Sequence, residues 1–432
     1  MPVRLTAGRG GRAVRVVAGV GVLGGLTAAL AAGLRGLAVP LPASVVAMLL
    51  VWAGLLGLEW WRPPLARGWA AALDPAVGFL GRWMALFFVP PLVMLPQAPA
   101  PQAGELGRVA LLVGLGLLVT LSTTGWLAQV LARRRADAGP VPPREAAPRG
   151  RPPGRVAVCW GAVALGAVPG AWAGLRPASV LLWLGVTVAA FAAGAWLQAR
   201  LGARLPAGLG AFGRRAAVSL FHPVLFGALV TLGALRLADA PLPAYRTGDL
   251  LHPGAGDLLM ALLDPAVAAL GVLLYRQRAL LRACAAPLLG TLAVAAPLAL
   301  ATAALGAGLL GLSADYARAV IPRSVTTPIA IPIAEMLGAH PGITAAIVVL
   351  TGVLGAVFGP PVLDALGVRG PVARGLAIGA SAHGIGTAAL VAEDPPAAAV
   401  SGVAFALMAA LSALAVGLPP VRDLLLAWAT GG

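Results

Sequence analysis

The sequence predicts an all-α protein that crosses a membrane about twelve times. Its composition is the first reason, because 59% of the 432 residues are hydrophobic and 11% are charged, whereas soluble domains carry about 25% charged residues. The second reason is the recurrence of apolar stretches near the roughly 20 residues that a membrane helix needs. The third is that glycines and prolines interrupt the later stretches, which predicts discontinuous or re-entrant helices in the C-terminal part.

The apolar stretches follow one another along the whole chain, and the last two are less regular than the others. Their bounds are Val16–Leu34, Ala43–Leu58, Ala76–Leu95, Val109–Val130, Val156–Trp172, Ser179–Leu197, Val218–Leu237, Leu258–Tyr275, Ala285–Leu310, Ile343–Leu363, Gly375–Ala392 and Ala397–Leu418. The first follows Met1–Arg15, which has four arginines and no acidic residue, as in the basic region of a signal peptide. It is long enough to span and no clear cleavage site follows, so we interpret it as the first transmembrane helix.

The net charge of +16 does not predict nucleic-acid binding. All 31 basic residues are arginines in short clusters between apolar stretches, without a basic face that carries interleaved aromatic residues. The two cysteines lie far apart, and the four histidines lack the spacing of metal ligands. We therefore expect no metal, no cofactor and no nucleic-acid partner. No nucleophile–base pair, carboxylate pair or phosphate loop predicts an enzyme.

Arginine placement predicts the orientation, since cytoplasmic loops carry an excess of Lys and Arg. The densest cluster, Arg133–Arg155, is rich in proline and lacks apolar periodicity, so we expect an extended, flexible cytoplasmic linker. It separates a four-helix membrane unit, residues 1–132, from a larger C-terminal unit, residues 156–432. Four crossings before a cytoplasmic linker also place the N-terminus in the cytoplasm.

The segment Ile321–His340 breaks the rules for a lipid-facing helix. Thr327 and Pro328 have the pattern of an N-cap followed by the first residue of a half-helix, and Pro332 removes another backbone donor. Broken backbone at membrane depth survives only where protein or a water-filled cavity covers it. The N-terminus of a half-helix there offers free N–H groups and a positive dipole end, which suits an anion.

Polar side chains surround this predicted half-helix. Arg323 supplies a positive charge, Ser324 and Thr326 supply hydroxyls, and Glu335 is a carboxylate among apolar neighbours. Ionisable groups inside a membrane are functional hypotheses by default, because they are costly to keep there. The alternative interpretation is a kinked helix in which Arg323 extends to the membrane surface.

The segment Gly375–Glu393 is interrupted by glycines and carries a histidine. Its glycines permit close backbone approach, which predicts a second discontinuous helix, and whether it crosses the membrane or re-enters stays open. His383 could bond a carboxylate or carry a proton, or it could be a buried histidine satisfied by a backbone carbonyl. The fragment Gly384–Gly386 resembles a dinucleotide loop only weakly, because no strand precedes it.

Asp264 and Pro265 interrupt the stretch Leu258–Tyr275. A proline at this place kinks a helix, and a buried acid is costly. Asp264 is therefore either a coupling site or the partner of an arginine, and the sequence does not decide between the two.

These segments together supply the candidate site. We expect Arg323–Glu335 and Ser381–Thr387 to converge near the middle of the membrane, where discontinuous helices meet in many secondary transporters. The candidate substrate-binding residues are Arg323, Ser324, Thr326, Thr327, Ser381, His383 and Thr387. The candidate coupling residues are Asp264, Glu335 and His383. The candidate hinge residues are Pro265, Pro328, Pro332, Gly379, Gly384 and Gly386.

Both units contain segments that resemble known families. RSVTTPIAIPIAE and TAAIVVLTGVLGAVFGP within Pro322–Pro360, and ARGLAIGASAHGIGTAAL at Ala373–Leu390, resemble the LrgB/CidB family. LPASVVAMLL at Leu41–Leu50 and RWMALFFVPPLVM at Arg82–Met94 resemble the LrgA/CidA family. The fused order is that of the plastidial glycolate/glycerate translocators, which the ending PPVRDLLLA at Pro419–Ala427 also resembles.

The resemblance implies a secondary transporter of small monocarboxylates of glycolate, glycerate or pyruvate type, with proton coupling as a further hypothesis. It also implies an alternative, since bacterial members were first described as holin- and antiholin-like proteins that control murein hydrolase activity and lysis. The chain departs from the family at one place: bacterial members usually have Gly-Pro where this chain has Asp264-Pro265.

The resemblance also guides the expected location and partners. We expect a bacterial cytoplasmic membrane rather than a plastid inner envelope, because no long transit peptide precedes the first helix and the SVTTPIA form is more bacterial than plant-like. The expected partners are a small organic anion and the lipid bilayer, and a homo-oligomer stays open.

Overall fold

The computed structural model describes residues 9–133, 153–206, 209–249 and 251–431, and the regular structure in these ranges is helical throughout. This confirms the predicted all-α fold class. The α-helices are α1 Arg9–Gly36, α2 Ala43–Trp61, α3 Pro63–Trp83, α4 Val89–Val93, α5 Glu105–Arg133, α6 Pro153–Trp172, α7 Arg176–Arg204, α8 Gly210–Leu220, α9 Pro223–Leu237, α10 Leu242–Tyr245, α11 Ala255–Met260, α12 Leu263–Arg276, α13 Arg278–Ala283, α14 Ala285–Leu309, α15 Ala314–Val320, α16 Thr327–Met336, α17 Pro341–Ala365, α18 Pro371–Glu393, α19 Pro395–Gly417 and α20 Pro419–Thr430. Short 3-10 segments, Met84–Phe88 and Leu95–Gln97, flank α4.

Eleven segments in the described ranges are long and apolar enough to cross a membrane, which confirms a polytopic membrane protein. They are Gly11–Gly36, Ala43–Trp61, Pro63–Gln97, Glu105–Arg133, Pro153–Trp172, Arg176–Arg204, Phe212–Leu237, Ala255–Arg276, Ala285–Leu309, Pro341–Ala365 and Pro395–Gly417. We call the end of the molecule where α5 stops and α6 starts the linker face, and the other end the opposite face. Two further segments, hairpins 1 and 2, enter the protein and return to the face from which they came.

Hairpin 1 consists of α15, a turn at residues 321–326 and α16, and it enters from the opposite face. A Cβ atom at Gly338, just after α16, would lie 3.6 Å from the Arg318 guanidinium in α15, so the two arms lie side by side. Thr344, near the start of α17, donates a hydrogen bond to the carbonyl oxygen of Ala319 at 3.3 Å. Because α17 starts beside α15 and then crosses, the hairpin itself does not cross.

Hairpin 2 is α18, and it enters from the linker face. Its backbone reverses at His383, where φ is 44° and ψ is −143°. Arg374, near its start, lies 3.7 Å from Asp394, just after its end, whereas a continuous helix would separate the two positions by about 30 Å. The same arginine also pairs with Asp364 at the end of α17 at 2.5 Å. The stretch Gly375–Ala392, which the sequence left open, is therefore re-entrant.

The stretch that contains Asp264 and Pro265 is interrupted, as predicted, but just before the proline. In a continuous helix the Pro265 ring would clash with the carbonyl group of Ala261. As a result, α11 ends at Met260 and α12 begins at Leu263, with Pro265 in its first turn.

The N-terminal helices pack directly against the C-terminal ones. α2 lies so close to α12 that a Cβ atom at Gly271 would overlap the carbonyl oxygen of Met48. α5 packs against α14, α17 and α18, and its Leu117 and Leu121 share a buried apolar cluster with Leu292 of α14. Helices from the N-terminal and from the C-terminal part of the chain thus both contribute to the core around the hairpins.

The predicted linker, Arg133–Arg155, falls for the most part outside the described residues. Its first residue ends α5, and its last three residues belong to α6. The boundary between the two predicted units stays a prediction.

Candidate functional site at the hairpin tips

The tips of the two hairpins meet inside the protein. A Cβ atom at Gly384, in the tip of hairpin 2, would lie 3.9 Å from the hydroxyl oxygen of Thr326, in the tip of hairpin 1. The arms that lead to the tips contain about 7 to 12 residues, or roughly 10–18 Å of helix. The two broken segments therefore converge at their tips, and arms of this length are about half the thickness of a hydrocarbon layer of about 30 Å. Their position near the middle of the membrane stays a prediction.

Arg323, in the tip of hairpin 1, is fully buried, with 0% of its surface exposed. Its Nη1 donates to the hydroxyl of Ser324 and its Nη2 donates to that of Thr302 in α14, each at 3.2 Å. Its Nε has no partner among the described residues, and none of their carboxylates forms an ion pair with it. The alternative of an arginine that extends to the membrane surface does not fit this burial.

The half-helix α16 starts at this tip, one residue earlier than predicted. Thr326 occupies the cap position with extended backbone, Thr327 is the first helical residue, and Pro328 is the second. In the described part of the chain, the N–H groups of Thr326 and Thr327 donate no hydrogen bond. Both side chains, like that of Ser324, are buried. Free N–H groups at a helix start beside a buried guanidinium favour an anion.

His383 forms the tip of hairpin 2. Its ring is buried, and Nε2 lies 3.0 Å from the carbonyl oxygen of Val348 in α17. Because a carbonyl oxygen only accepts, Nε2 carries the proton and the neutral ring keeps Nδ1 as an acceptor. The backbone-bonded histidine that the sequence left open is the arrangement observed. Its positive φ costs on the order of 1–3 kcal/mol, and such strain clusters at functional sites.

The other hydroxyls of hairpin 2 differ in their availability. Thr387 donates to the carbonyl oxygen of His383 at 2.7 Å and lies 2.7 Å from the Ser401 hydroxyl in α19, so it braces the turn. Ser381 is buried, and its hydroxyl has no partner among the described residues. Ser381 is therefore the hydroxyl in this hairpin that can accept a new partner.

The predicted hinge glycines let helices approach closely. A Cβ atom at Gly379 would lie 2.6 Å from the carbonyl oxygen of Ser401, and one at Gly386 would lie 2.6 Å from Cβ of Ala382 in the other arm. Gly384 faces the tip of hairpin 1. Gly352 of α17, which the sequence did not single out, leaves room for the His383 ring, because a Cβ atom there would lie 2.7 Å from Cε1.

The two predicted acidic coupling residues lie away from the tips. Asp264 lies beside Ser44 of α2 and within electrostatic range of Glu335. Glu335 stands nine residues after Thr326 in α16, about 13 Å along the helix toward the opposite face. Pro332 lies between them within α16. The expectation that Glu335 joins the tips is therefore wrong, because α16 carries it back toward the surface. No arginine of the described residues pairs with Asp264.

His222 is a further histidine that sequence reasoning missed, and its side chain is half-buried. It lies in the break between α8 and α9, directly before Pro223. Its Nδ1 is buried without a partner among the described residues, and it lies within electrostatic range of His383. The sequence signal that could have identified this histidine is the pair His222–Pro223 inside an apolar stretch.

An apolar cavity of about 520 Å³ lies elsewhere, between α4, α9 and α17. Leucine, valine and alanine side chains dominate its walls, and Arg236 is the one ionisable residue among the described residues that line it. It lacks the hydrogen-bond donors of the tips, which makes the tips the better candidate for a polar ligand.

Comparison with known proteins agrees with the two resemblances in the sequence. The LrgB-like family matches residues 208–420, and the LrgA family matches residues 29–128. The plastidal glycolate/glycerate translocator 1, chloroplastic, of Arabidopsis thaliana is 30% identical over 397 residues, which cover 89% of this chain and 75% of that protein. The chain is a fused member of the LrgA and LrgB families.

Two bacterial relatives match less than half of this LrgA–LrgB fusion. The uncharacterized protein YwbG of Bacillus subtilis (strain 168) is 35% identical over 190 residues, which are 44% of the fusion and 81% of that protein. The antiholin-like protein LrgB of Bacillus mycoides (strain KBAB4) is 25% identical over 197 residues, which are 46% of the fusion and 83% of that protein. No solved structure matches the fusion.

Proposed function

We propose that this LrgA–LrgB fusion is a secondary carrier of small monocarboxylates, of the 2-hydroxy-acid type (glycolate, glycerate) or pyruvate. The observation that carries the proposal is Arg323, a fully buried guanidinium without a carboxylate partner in the described chain. A charge at membrane depth is costly and persists where it is paired, wetted or used. A substrate carboxylate supplies the missing negative charge.

The donors at the tips fit the two ends of a 2-hydroxy acid. The carboxylate takes Nε of Arg323 and the free N–H groups at the start of α16, as anions do at half-helix ends in other carriers. The 2-hydroxyl takes the unpaired hydroxyl of Ser381 or Nδ1 of His383. Both ends of the substrate then lie between two hairpins that enter from opposite faces, an arrangement that can open to either side.

Proton coupling would involve one residue at the tips and two residues away from them. His383 lies at the site itself, where protonation changes its charge beside the bound anion. We expect Asp264 and Glu335, which lie away from the tips, to take up a proton before the substrate arrives. The protein is expected in the cytoplasmic membrane with the linker face in the cytoplasm, and without catalytic activity.

Uptake into proteoliposomes tests the proposal. Purified protein is reconstituted, and uptake of labelled glycolate, glycerate, pyruvate and lactate is measured with and without an inward proton gradient. We expect saturable uptake of at least one acid and mutual competition among those transported. Absence of protein-dependent uptake of all four, with correctly inserted protein, contradicts the proposal.

The antiholin-like names of bacterial relatives favour a second candidate, a regulator of murein hydrolase activity. Such a role needs no buried substrate site. If expression changes autolysis equally for the wild type and for a variant without Arg323, while no acid is transported, the second candidate is the better one.

A further inference from the structure

Helix α5 belongs to the N-terminal unit, yet it is fixed at the bases of both hairpins. At the opposite face, Glu105 accepts a hydrogen bond from the N–H of Ser313 at 2.7 Å, one residue before hairpin 1. Arg108 donates to two carbonyl groups of the same loop at 2.9 and 2.7 Å. At the linker face, Gln129 accepts from the N–H of Arg369 at 2.6 Å, just before hairpin 2.

Midway along α5, Gly116 lies against the guanidinium of Arg323. A Cβ atom at this position would overlap Nη2 and would lie 2.6 Å from Cζ and 2.9 Å from Nε. Because three guanidinium atoms lie this close to the position of a Cβ atom, the planar group packs directly on the backbone of α5 at Gly116. Leu117, the next residue, approaches Gly355 at the place where Ala382 of hairpin 2 also packs. Neighbouring residues of α5 thus lie against Arg323 of hairpin 1 and share a buried apolar cluster with Ala382 of hairpin 2.

We propose that α5 of the N-terminal unit forms one wall of the anion site, and that Gly116 is a positioning residue that lets the Arg323 guanidinium lie there. The substrate part of this inference rests on the proposed function. The N-terminal unit is then a component of the site, and its contribution is a backbone surface without a side chain.

Alanine at position 116 separates this role from ordinary helix chemistry. Alanine is a better helix former than glycine, so Gly→Ala on a free surface of α5 leaves stability unchanged or raises it. At position 116 the new methyl group displaces the guanidinium, which weakens its hydrogen bonds to Ser324 and Thr302. Gly114 is a matched control on the same helix, because nothing lies within 4 Å of a Cβ atom there.

The experiment uses four full-length variants besides the wild type: Gly116→Ala, Gly114→Ala, Arg323→Lys and the double variant Gly116→Ala/Arg323→Lys. We measure melting temperature in detergent, the rise in melting temperature caused by glycolate or pyruvate, and KM and maximal rate of uptake. Lysine ends in a compact ammonium instead of a planar fork, so it tolerates the added methyl group better. The double variant therefore tests contact between the two positions without relying on transport.

We expect Gly116→Ala to lower the melting temperature, to reduce the stabilisation by substrate and to raise KM roughly tenfold, the effect of weakening one charge-assisted hydrogen bond. Gly114→Ala should match the wild type within about twofold in KM. In the Arg323→Lys background, Gly116→Ala should lower the melting temperature by less than half as much as in the wild type.

Two results overturn the inference: Gly116→Ala behaves like Gly114→Ala, or its thermal effect is the same with lysine as with arginine at position 323. If the wild type transports none of the acids, the proposed function fails. The thermal comparison then decides alone whether Gly116 positions Arg323.

Discussion

Replacement of Arg323 by glutamine separates a substrate-binding arginine from a structural one by the sign of its effect on stability. The side chain is 0% exposed and bonded only to two hydroxyls among the described residues. An arginine at the centre of a membrane helix costs about 2.5–3.5 kcal/mol on insertion scales. Each hydrogen bond from a charged group contributes about 1.5–3 kcal/mol to stability, and glutamine can keep one of the two bonds. The net change in stability is therefore small, within about 2 kcal/mol, and can be favourable.

The expected loss of transport is much larger. Truncation of one partner of a buried, hydrogen-bonded charge pair costs about 2–5 kcal/mol, which corresponds to roughly 30-fold to several thousand-fold in transport efficiency. Arg323→Gln should thus abolish measurable uptake of monocarboxylates, while its melting temperature stays within a few degrees of the wild type or rises.

The assay pairs initial uptake rates in proteoliposomes with melting temperatures of the same preparations. Arg323→Lys is the control, because it keeps the charge but loses the planar fork, and it should retain partial uptake. Wild-type uptake by Arg323→Gln refutes a role in binding. A steep fall in melting temperature that parallels the loss of uptake would contradict the small expected change in stability and would assign Arg323 a structural role.

Three other predictions concern the second hairpin and the linker. His383→Ala should abolish uptake while the protein stays inserted. If the variant has a lower melting temperature but keeps uptake at saturating substrate, the histidine has only a structural role through its hydrogen bond to Val348. Co-expression of residues 1–140 with 150–432 should retain transport, because contacts between the units hold them together; loss of transport with both halves inserted would show that the covalent connection is needed. The linker Arg133–Arg155 should be cleaved by protease from the cytoplasmic side, and cleavage from the periplasmic side of intact cells would reverse the proposed orientation.

The fold class and the two broken segments could be predicted because they depend on local properties. No knowledge of tertiary contacts is needed to recognise hydropathy over about 20 residues, or the positions of Pro328 and of the glycines near His383. The kink at Pro265 follows from the ring of proline alone. The sequence therefore located both tips, although the start of α16 differed by one residue.

The partners of these segments could not be predicted, because they come from distant parts of the chain. The re-entrant path of hairpin 2 depends on the pairing of Arg374 with Asp394 across the reversal. Glu335 looked like a site residue by proximity in sequence, but nine residues of returning helix carry it away from the tip. Gly116 lies in a regular apolar stretch, and nothing local marks it as the neighbour of Arg323.

The position of α5 gives a physical reason for joining the two units in one chain. A helix that packs against α14, α17 and α18 and is bonded at both hairpin bases must find its place before the site is complete. A short tether converts that encounter into an intramolecular one with an effective concentration in the millimolar range. The linker needs no structure for this purpose, only the length to join the end of α5 to the start of α6. On the proposed function, fusion would act on assembly, and specificity would stay with the residues at the tips and with the surface of α5 at Gly116.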